Sequence, residues 1–190
     1  MYYPVSLKVD GERCLVVGGG AVAWRKARAL VRAGARVAVV SPQFDARFGK
    51  LPVRRVRRAF RAADVRGAFL VVSATDDPAV NRAVFEACRR RGIPVNVVDR
   101  PELCTFIVPA VVRRGPVTVA VSTGGVFPGL AKALRRELER RLPRTLGVQA
   151  ARLGRERRQV RRGVQEASER MRRSRALVRK FRLGRGAAAP

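Results

Sequence analysis

The sequence of 190 residues predicts an α/β fold, with a doubly wound parallel sheet near its start. Two observations lead to this prediction. Short apolar runs alternate with helix-like segments from residue 13 to residue 99, which is the order that parallel crossovers produce. After Pro101 the apolar runs follow one another with no helix between them, which indicates a second and smaller sheet.

The first crossover spans residues 13–41. RCLVV is a buried strand that ends in Gly18–Gly19–Gly20, and the following residues suit a helix as far as Ala33, with Gly34 as its stop. The run VAVV is the second strand, which closes at Ser41–Pro42. The same pattern then predicts an edge strand over 53–60, a strand over 68–73, a helix over 79–91 and a strand over 95–98.

The second sheet is expected to be small and antiparallel or mixed. Its predicted strands are 106–108, 110–112 and 117–121, with a turn at 113–116. A helix is expected from about Pro128 to Leu142. The strands are apolar and would leave exposed edges on a single chain, so pairing with a second copy, as a homodimer, is expected.

The C-terminal part differs in composition, since residues 144–190 hold 15 basic and 3 acidic residues. Apolar or small side chains recur there at heptad spacing, which predicts one amphipathic helix. The stripe is Val160, Val164, Ala167, Met171, Ser174, Val178 and Phe181. Such a helix docks on the body of the protein or on a partner subunit, and a basic arm for nucleic acid or an anionic surface is the alternative.

The net charge is +28, from 42 basic and 14 acidic residues, and the chain contains no His. The absence of His excludes a His general base, a Ser-His-Asp triad and imidazole metal ligands, so proton transfer must use a carboxylate, Lys, Tyr or Cys. The charge favours polyanionic partners, namely nucleic acid, a phosphorylated cofactor or a substrate with many carboxylates. A genome that favours Arg would also explain part of it, because 37 of the basic residues are Arg.

Three cysteines, Cys14, Cys88 and Cys104, lie far apart and form no CxxC pair, so neither a disulfide framework nor a zinc or other metal site is predicted. The first residues hold no apolar run of signal length, and no run is long enough to span a membrane. A cytoplasmic location is therefore expected.

The strongest site signal is Gly18–Gly19–Gly20–Ala21–Val22–Ala23, a G-x-G-x-x-A pattern between a strand and a helix. Gly18 allows the tight turn, Gly20 lets the backbone approach a pyrophosphate, and Ala23 allows close packing of helix and strand. This predicts a Rossmann-type dinucleotide site. The acid that usually ends the second strand is replaced by Ser41–Pro42, so this rule does not decide between NAD and NADP. Arg47 is a candidate partner for a 2′-phosphate or a solvated surface residue.

Asp99 ends a predicted parallel strand, at the sheet edge where open α/β sheets bind their ligands. Without His, it is a natural proton acceptor, although a capping role for the next segment is the alternative. Asp76 and Asp77 are expected at the N-terminus of a helix. Ser122–Thr123–Gly124–Gly125, before the last predicted helix of this part, is either an anion cradle or a capped turn.

Four stretches of the sequence together resemble those of a known family. They are VVGGGAVAWRKARALVRAGARVAVVSP, SATDDPAVN, NVVDRPELCTFIVPAVVRRGPVTVAVSTGG and PGLAKALRRELE, and they span roughly residues 1–142. In order and spacing they resemble the precorrin-2 dehydrogenase / sirohydrochlorin ferrochelatase family, which is the N-terminal part of siroheme synthase. After Leu142 the sequence shows no motif that can be assigned to the family.

The resemblance implies an NAD-binding Rossmann domain at 1–105, a dimerisation domain at 106–144 and a helical segment at 145–190. It implies NAD-dependent oxidation of precorrin-2 to sirohydrochlorin, and in some members insertion of Fe²⁺ to give sirohaem. Asp99 matches the catalytic aspartate of the family. The implied cofactor residues are Gly18, Gly20, Ala21, Val22, Ser41, Pro42 and Thr75, and the implied substrate residues are Ser122, Thr123 and Gly124.

Two other functions stay open from the sequence. The first is a Rossmann-type nucleotide-sensing or nucleic-acid-associated protein that uses the basic C-terminal segment. The few aromatic residues there make base stacking, and hence nucleic acid, the weaker expectation. The second is a dehydrogenase of another porphyrinoid route, such as that to cobalamin precursors.

Overall fold

The computed structural model describes residues 2–179. They form two compact units, the first ending at Val108 and the second beginning at Pro109. The three-part division expected from the sequence stays a prediction. No helix within the described residues is long and apolar enough to cross a membrane.

The first unit is a five-stranded parallel sheet in the order β3-β2-β1-β4-β5. This is the predicted doubly wound arrangement, with the expected edge strand 53–60 at one side. The strands are β1 (Arg13–Val17), β2 (Arg36–Ser41), β3 (Arg54–Arg57), β4 (Leu70–Ser73) and β5 (Val95–Val97). The helices are α1 (Ala21–Arg32) and α2 (Pro78–Arg89), with short 3₁₀ turns at Ala46–Lys50, Ala62–Val65 and Pro101–Leu103.

Alternate residues of the three central strands, β2, β1 and β4, enter two separate cores, one on each face of the sheet. Cys14 and Val16 of β1 pack with Ala23 and Ala27 of α1. Leu15 and Val17 of β1, with Val40 and Val71 of the neighbouring strands, pack instead with Val84 and Ala87 of α2. Because both faces of these central strands are covered, their sequences are continuous apolar runs rather than alternating ones. Because all five strands are parallel, their carboxyl ends meet at one edge of the sheet.

The second unit begins with an antiparallel hairpin of β6 (Ala110–Arg114) and β7 (Val117–Val121), in which Val112 pairs with Val119. The predicted strand 106–108 is wrong, since these residues form no strand. The Phe106 side chain packs in the core on the α1 side of the sheet. The backbone carbonyl of Phe106 accepts a hydrogen bond of 3.1 Å from Asn96 Nδ2. The segment is thus held as a connection by side-chain contacts rather than by strand pairing.

Three helices complete the second unit: α3 (Pro128–Arg141), α4 (Leu146–Gly163) and α5 (Ala167–Arg179). The single helix expected from the heptad stripe is wrong, because the chain breaks at residues 164–166 and α5 packs back against α4. Met171 and Val178 are exposed, so the stripe is not a buried seam within this chain. Phe181 and the tail after Gly184 lie outside the described residues.

Candidate functional site

The glycine loop between β1 and α1 is fixed by contacts with two neighbouring strands. Gly18 has φ +113° and donates to the Val40 carbonyl at 2.9 Å. A Cβ on Gly18 would lie 2.2 Å from the Ala74 carbonyl oxygen, and a Cβ on Gly19 would lie 1.8 Å from that of Gln43. Neither position can hold a larger residue without moving backbone, so the loop shape requires both glycines.

Gly20 differs from the other two glycines because a Cβ there would meet nothing within 4 Å. It is the residue that precedes the first turn of α1, and no side chain caps this helix end. The first turn also contains no acidic residue. Uncapped backbone N–H groups, together with the positive end of the helix dipole, favour an anion at this place. The residues therefore fit a pyrophosphate that approaches over Gly20, Ala21 and Val22.

Thr75 lies beside this loop, in the turn between β4 and α2. A Cβ on Gly18 would come within 3.3 Å of the Thr75 backbone nitrogen. Buried Asn81 holds this turn with two hydrogen bonds. Its Nδ2 donates to the Thr75 carbonyl at 3.0 Å, and its Oδ1 accepts from the Ser73 hydroxyl at 2.7 Å. Asp77 caps α2 by accepting from two backbone N–H groups, as expected. Asn81 was not among the predicted site residues, although it stands four residues after the predicted cap.

The segment after β2 folds back onto the glycine loop. Buried Ser41 ends the strand, its hydroxyl 2.7 Å from where a Cβ on Gly19 would be, and exposed Pro42 follows it. The Asp45 backbone N–H donates to the Gly19 carbonyl at 2.8 Å. Arg47 forms a two-pronged ion pair with the Asp45 carboxylate, with Nη2 2.6 Å from Oδ2. An acidic group is therefore present at this edge, four residues later than the usual position.

Asp99 is exposed two residues after β5, at the edge of the sheet that also carries the glycine loop and Thr75. It has φ +59°, a left-handed conformation that disfavours most non-glycine residues by roughly 1–2 kcal/mol. Asp and Asn tolerate this conformation better than other residues. The Asp99 backbone is thus held in an uncommon state at the place where a parallel sheet binds ligands.

Lys26 of α1 is a charged neighbour of Asp99 that sequence reasoning missed. The side chain is half-buried. Burial, and then the adjacent Arg25 guanidinium, lower the pKa of the Lys26 ammonium, whereas the negative charge of Asp99 opposes that change. Lys26 is one of five lysines in a chain whose other 37 basic residues are Arg. That rarity singles Lys26 out in the sequence, but no spacing rule links it to Asp99, because the two residues belong to separate elements.

Ser122, Thr123 and Gly124 form the turn between β7 and α3. The Ser122 hydroxyl accepts from the Gly124 backbone N–H at 3.1 Å, and Thr123 Oγ1 donates to the Phe127 carbonyl at 3.0 Å. The Phe127 N–H donates back to Thr123 Oγ1 at 3.3 Å. These bonds describe a capped turn, with Ser122 and Gly124 exposed. A role of the turn in anion binding stays a prediction.

The three thiols are free. Burial raises the pKa of Cys14 and of Cys88 to about 11, and it raises the pKa of half-buried Cys104 as well. All three thiols are therefore poor nucleophiles near neutral pH. Within residues 2–179, no three side chains of His, Cys, Asp or Glu are grouped so that they could hold a metal ion.

The strand order and the uncapped helix behind a glycine turn define a dinucleotide-binding protein of the Rossmann class. Comparison with known families agrees. Residues 5–110 match the family described as "Putative NAD(P)-binding", and residues 114–141 match "Sirohaem biosynthesis protein central". The first unit is thus an NAD(P)-binding domain, which calls for a nicotinamide cofactor.

Curated relatives and a solved structure narrow the family. The siroheme synthases of Nitrosomonas eutropha and Methylobacillus flagellatus are 48% and 49% identical over 77% and 78% of this chain, and each match covers 32% of the relative. Siroheme synthase 1 of Halorhodospira halophila is 47% identical over 177 residues, which are 90% of this chain and 37% of that protein. The structure of SirC, a precorrin-2 dehydrogenase, has a TM-score of 0.79 at 26% identity and covers 93% of this chain and 89% of its own.

The chain belongs to the precorrin-2 dehydrogenase / sirohydrochlorin ferrochelatase family, the N-terminal part of siroheme synthase. This confirms the family recognised from the four sequence stretches. The similarity of 177 residues also extends beyond Leu142, so it reaches into the arginine-rich segment in which no family motif was found. The chain spans about a third of the length of these curated relatives.

Proposed function

We propose that the chain is a precorrin-2 dehydrogenase that uses NAD to oxidise precorrin-2 to sirohydrochlorin for sirohaem synthesis. The observation that carries the proposal is the position of Asp99, a carboxylate in a left-handed backbone conformation at the sheet edge that holds the glycine loop. A dinucleotide site and a proton acceptor at one edge are what a dehydrogenase without His requires.

The cofactor would be held by Gly18, Gly20 and the first turn of α1, with Ser41, Pro42 and Thr75 at the margins of the same loop. When bound, the nicotinamide accepts a hydride. Asp99 accepts the proton that leaves the substrate with that hydride, so that two electrons and two hydrogens are removed. The positive charge of Lys26 lies close enough to Asp99 to interact with it electrostatically.

The substrate carries acetate and propionate carboxylates around its ring. A chain with a net charge of +28 attracts such a polyanion over a long range, and arginines bind carboxylates with two parallel hydrogen bonds. We assign Ser122, Thr123 and Gly124 to substrate binding, because they form an exposed turn with two polar side chains. A Ser122→Ala variant is expected to raise KM for precorrin-2 and to leave NAD affinity unchanged.

The protein is expected to work as a homodimer in the cytoplasm. Leu130 and Leu134 of α3, together with Phe127 just before the helix, are between 45% and 61% exposed, and β6 and β7 form a two-stranded sheet. Exposed apolar side chains at helical spacing, next to strand edges, favour burial against a second copy. Three free thiols suit the reducing cytoplasm. Light scattering that finds only monomer at micromolar concentration would contradict the dimer.

The dehydrogenase is preferred to a nucleic-acid-associated function because the similarity to siroheme synthase extends into the basic segment, which favoured the latter. Plain DNA provides the test of that alternative. Salt-dependent binding that disappears when residues 145–190 are removed, without any oxidation of precorrin-2, would favour it.

The experiment that tests the proposal is incubation of the chain with precorrin-2 and either NAD or NADP, followed by Fe²⁺. Reduced cofactor and the absorption spectrum of sirohydrochlorin are expected in the first stage. The second stage measures whether the same chain also inserts Fe²⁺, its substrate in that reaction, to give sirohaem. A stable, folded protein that reduces neither cofactor would contradict the proposal, and a product other than sirohydrochlorin would indicate another porphyrinoid route.

A further inference from the structure

Asp45 lies at the part of the cofactor site that usually decides between NAD and NADP. In Rossmann domains, an acid after the second strand binds the ribose 2′-hydroxyl, whereas an Arg nearby accommodates a 2′-phosphate. Here β2 ends in Ser41. The following turn returns to the glycine loop, since the Gln43 carbonyl packs against Gly19 and the Asp45 N–H donates to the Gly19 carbonyl at 2.8 Å.

The Asp45 carboxylate is held in one orientation. Its Oδ1 accepts from the backbone N–H of Arg47 at 2.9 Å and from Arg47 Nε at 2.8 Å, and its Oδ2 accepts from Arg47 Nη2 at 2.6 Å. A carboxylate can accept about four hydrogen bonds, so Oδ2 keeps the capacity to accept from a hydroxyl.

Arg47 is held just as firmly on its other side. Its guanidinium lies over the Trp24 ring, 4.8 Å from the ring centre, and its carbonyl accepts from Trp24 Nε1 at 3.2 Å. Arg28 lies 4.6 Å from the centre of the same ring. The guanidinium that could bind a 2′-phosphate is therefore stacked on an aromatic ring and neutralised by a carboxylate.

We propose that the Asp45–Arg47 pair makes the cofactor site select NAD over NADP; this rests on the proposed function of the glycine loop as the cofactor site. A 2′-phosphate would meet the Asp45 carboxylate and would have to compete with it for Arg47. A 2′-hydroxyl can donate to that carboxylate without disturbing the pair. Removal of the Asp45 charge converts the same arginine into a partner for the phosphate.

The test is the affinity for NAD⁺ and NADP⁺ of the parent, Asp45→Asn, Arg47→Gln and the double variant, measured by calorimetry. The parent is expected to bind NAD⁺ at least about ten-fold more tightly than NADP⁺, in line with one charge-assisted contact. Asp45→Asn should reduce this preference about ten-fold, mainly by tighter binding of NADP⁺. The double variant should lose that gain, and Arg47→Gln alone should keep the preference for NAD⁺.

Glu86→Gln is the matched control, because it removes one carboxylate of α2 from an exposed pair with Arg90, the residue that follows the helix. Its NAD⁺ to NADP⁺ ratio should equal that of the parent. The calorimetric unfolding temperature verifies that each variant stays folded, because Arg47 contacts Trp24 and its replacement would change the Trp24 fluorescence by itself. The affinities for adenosine 2′,5′-bisphosphate and for 5′-AMP provide the same comparison for the adenosine half of each cofactor alone.

A parent that prefers NADP⁺, an Asp45→Asn variant with the parent's ratio, or a gain that persists without Arg47 would each overturn the proposal. These outcomes leave the glycine loop as a cofactor site. Failure of the parent to bind either dinucleotide would instead refute the proposed function of the loop, and the selectivity proposal with it. The two failures are therefore distinguished by the parent protein alone.

Discussion

Replacement of Gly20 by Ala separates cofactor binding from folding in the glycine loop. The backbone at Gly20 has φ −81°, which Ala adopts freely, and the added Cβ would meet nothing within 4 Å. Ala is less favourable than Gly at the N-cap of a helix, but it also lowers the entropy of the unfolded chain, and the two effects offset each other. The free energy of unfolding should therefore change by less than about 1 kcal/mol. The methyl group would nevertheless stand where the pyrophosphate approaches the backbone, and NAD affinity should fall at least about ten-fold.

Gly18→Ala is the contrasting variant in the same loop. The added Cβ would lie 2.2 Å from the Ala74 carbonyl oxygen, where ordinary contact begins at 3.4 Å, and φ at this position is +113°. Overpacking of 1–3 kcal/mol and a left-handed penalty of 1–2 kcal/mol together suggest a loss of about 3 kcal/mol. For a unit of this size, the unfolding temperature should fall by roughly 10–20 °C.

Calorimetric unfolding and NAD titration of both variants measure the two effects separately. Gly20→Ala is expected to unfold near the parent temperature and to bind NAD poorly. If Gly20→Ala binds NAD as the parent does, the pyrophosphate does not lie over this helix end, and the assignment of the site would be wrong. If Gly18→Ala is as stable as the parent, the close approach of Ala74 is not a constraint on folding.

Three further outcomes are expected. Arg58 holds the pKa of Asp64 below its usual value. The stabilisation from this pair is therefore present above about pH 4 and is lost as the pH falls through the lowered pKa. Asp64→Asn should flatten the acid side of a plot of the free energy of unfolding against pH, and an unchanged slope there would contradict this. Cys14 in the native protein should react with a disulfide reagent at pH 8 much more slowly than the same thiol in the unfolded protein, because burial raises its pKa to about 11. Equal reaction rates in the two states would refute this expectation. Lys26→Met removes a positive charge close to Asp99 and should lower kcat about ten-fold with little change in NAD affinity. Lys26→Arg keeps the charge and should retain most of the rate, and equal loss in both variants would indicate a packing role.

The parallel sheet and its site edge were predictable because local sequence determines them. Runs such as RCLVV and VAVV are buried on both faces, and the glycines after β1 meet a geometric requirement that Gly18 and Gly19 display directly. Asp77 was expected at a helix start for the same reason, since its carboxylate caps the first turn of α2. These features depend on neighbours within a few residues along the chain.

Features that depend on distant contacts were not predictable in this way. Residues 106–108 have the composition of a strand, but Asn96 and the core of the first unit hold Phe106 in a connection. The return of Asp45 to Gly19 and the proximity of Lys26 to Asp99 join separate elements, which no spacing rule reveals. The heptad stripe continues through residues 164–166 although the helix does not, because packing of α5 on α4 replaces one long helix.

Asp99 as the proton acceptor is the central claim, and oxidation of precorrin-2 by an Asp99→Asn variant tests it most directly. Asn tolerates the left-handed backbone at φ +59° and removes only the charge, whereas Asp99→Ala also removes the side chain that suits this conformation. The Asn variant is expected to keep the parent's unfolding temperature and NAD affinity while its rate of NAD reduction falls about 10²–10⁴-fold. A folded Asn variant that reduces NAD with precorrin-2 at the parent rate would contradict the account.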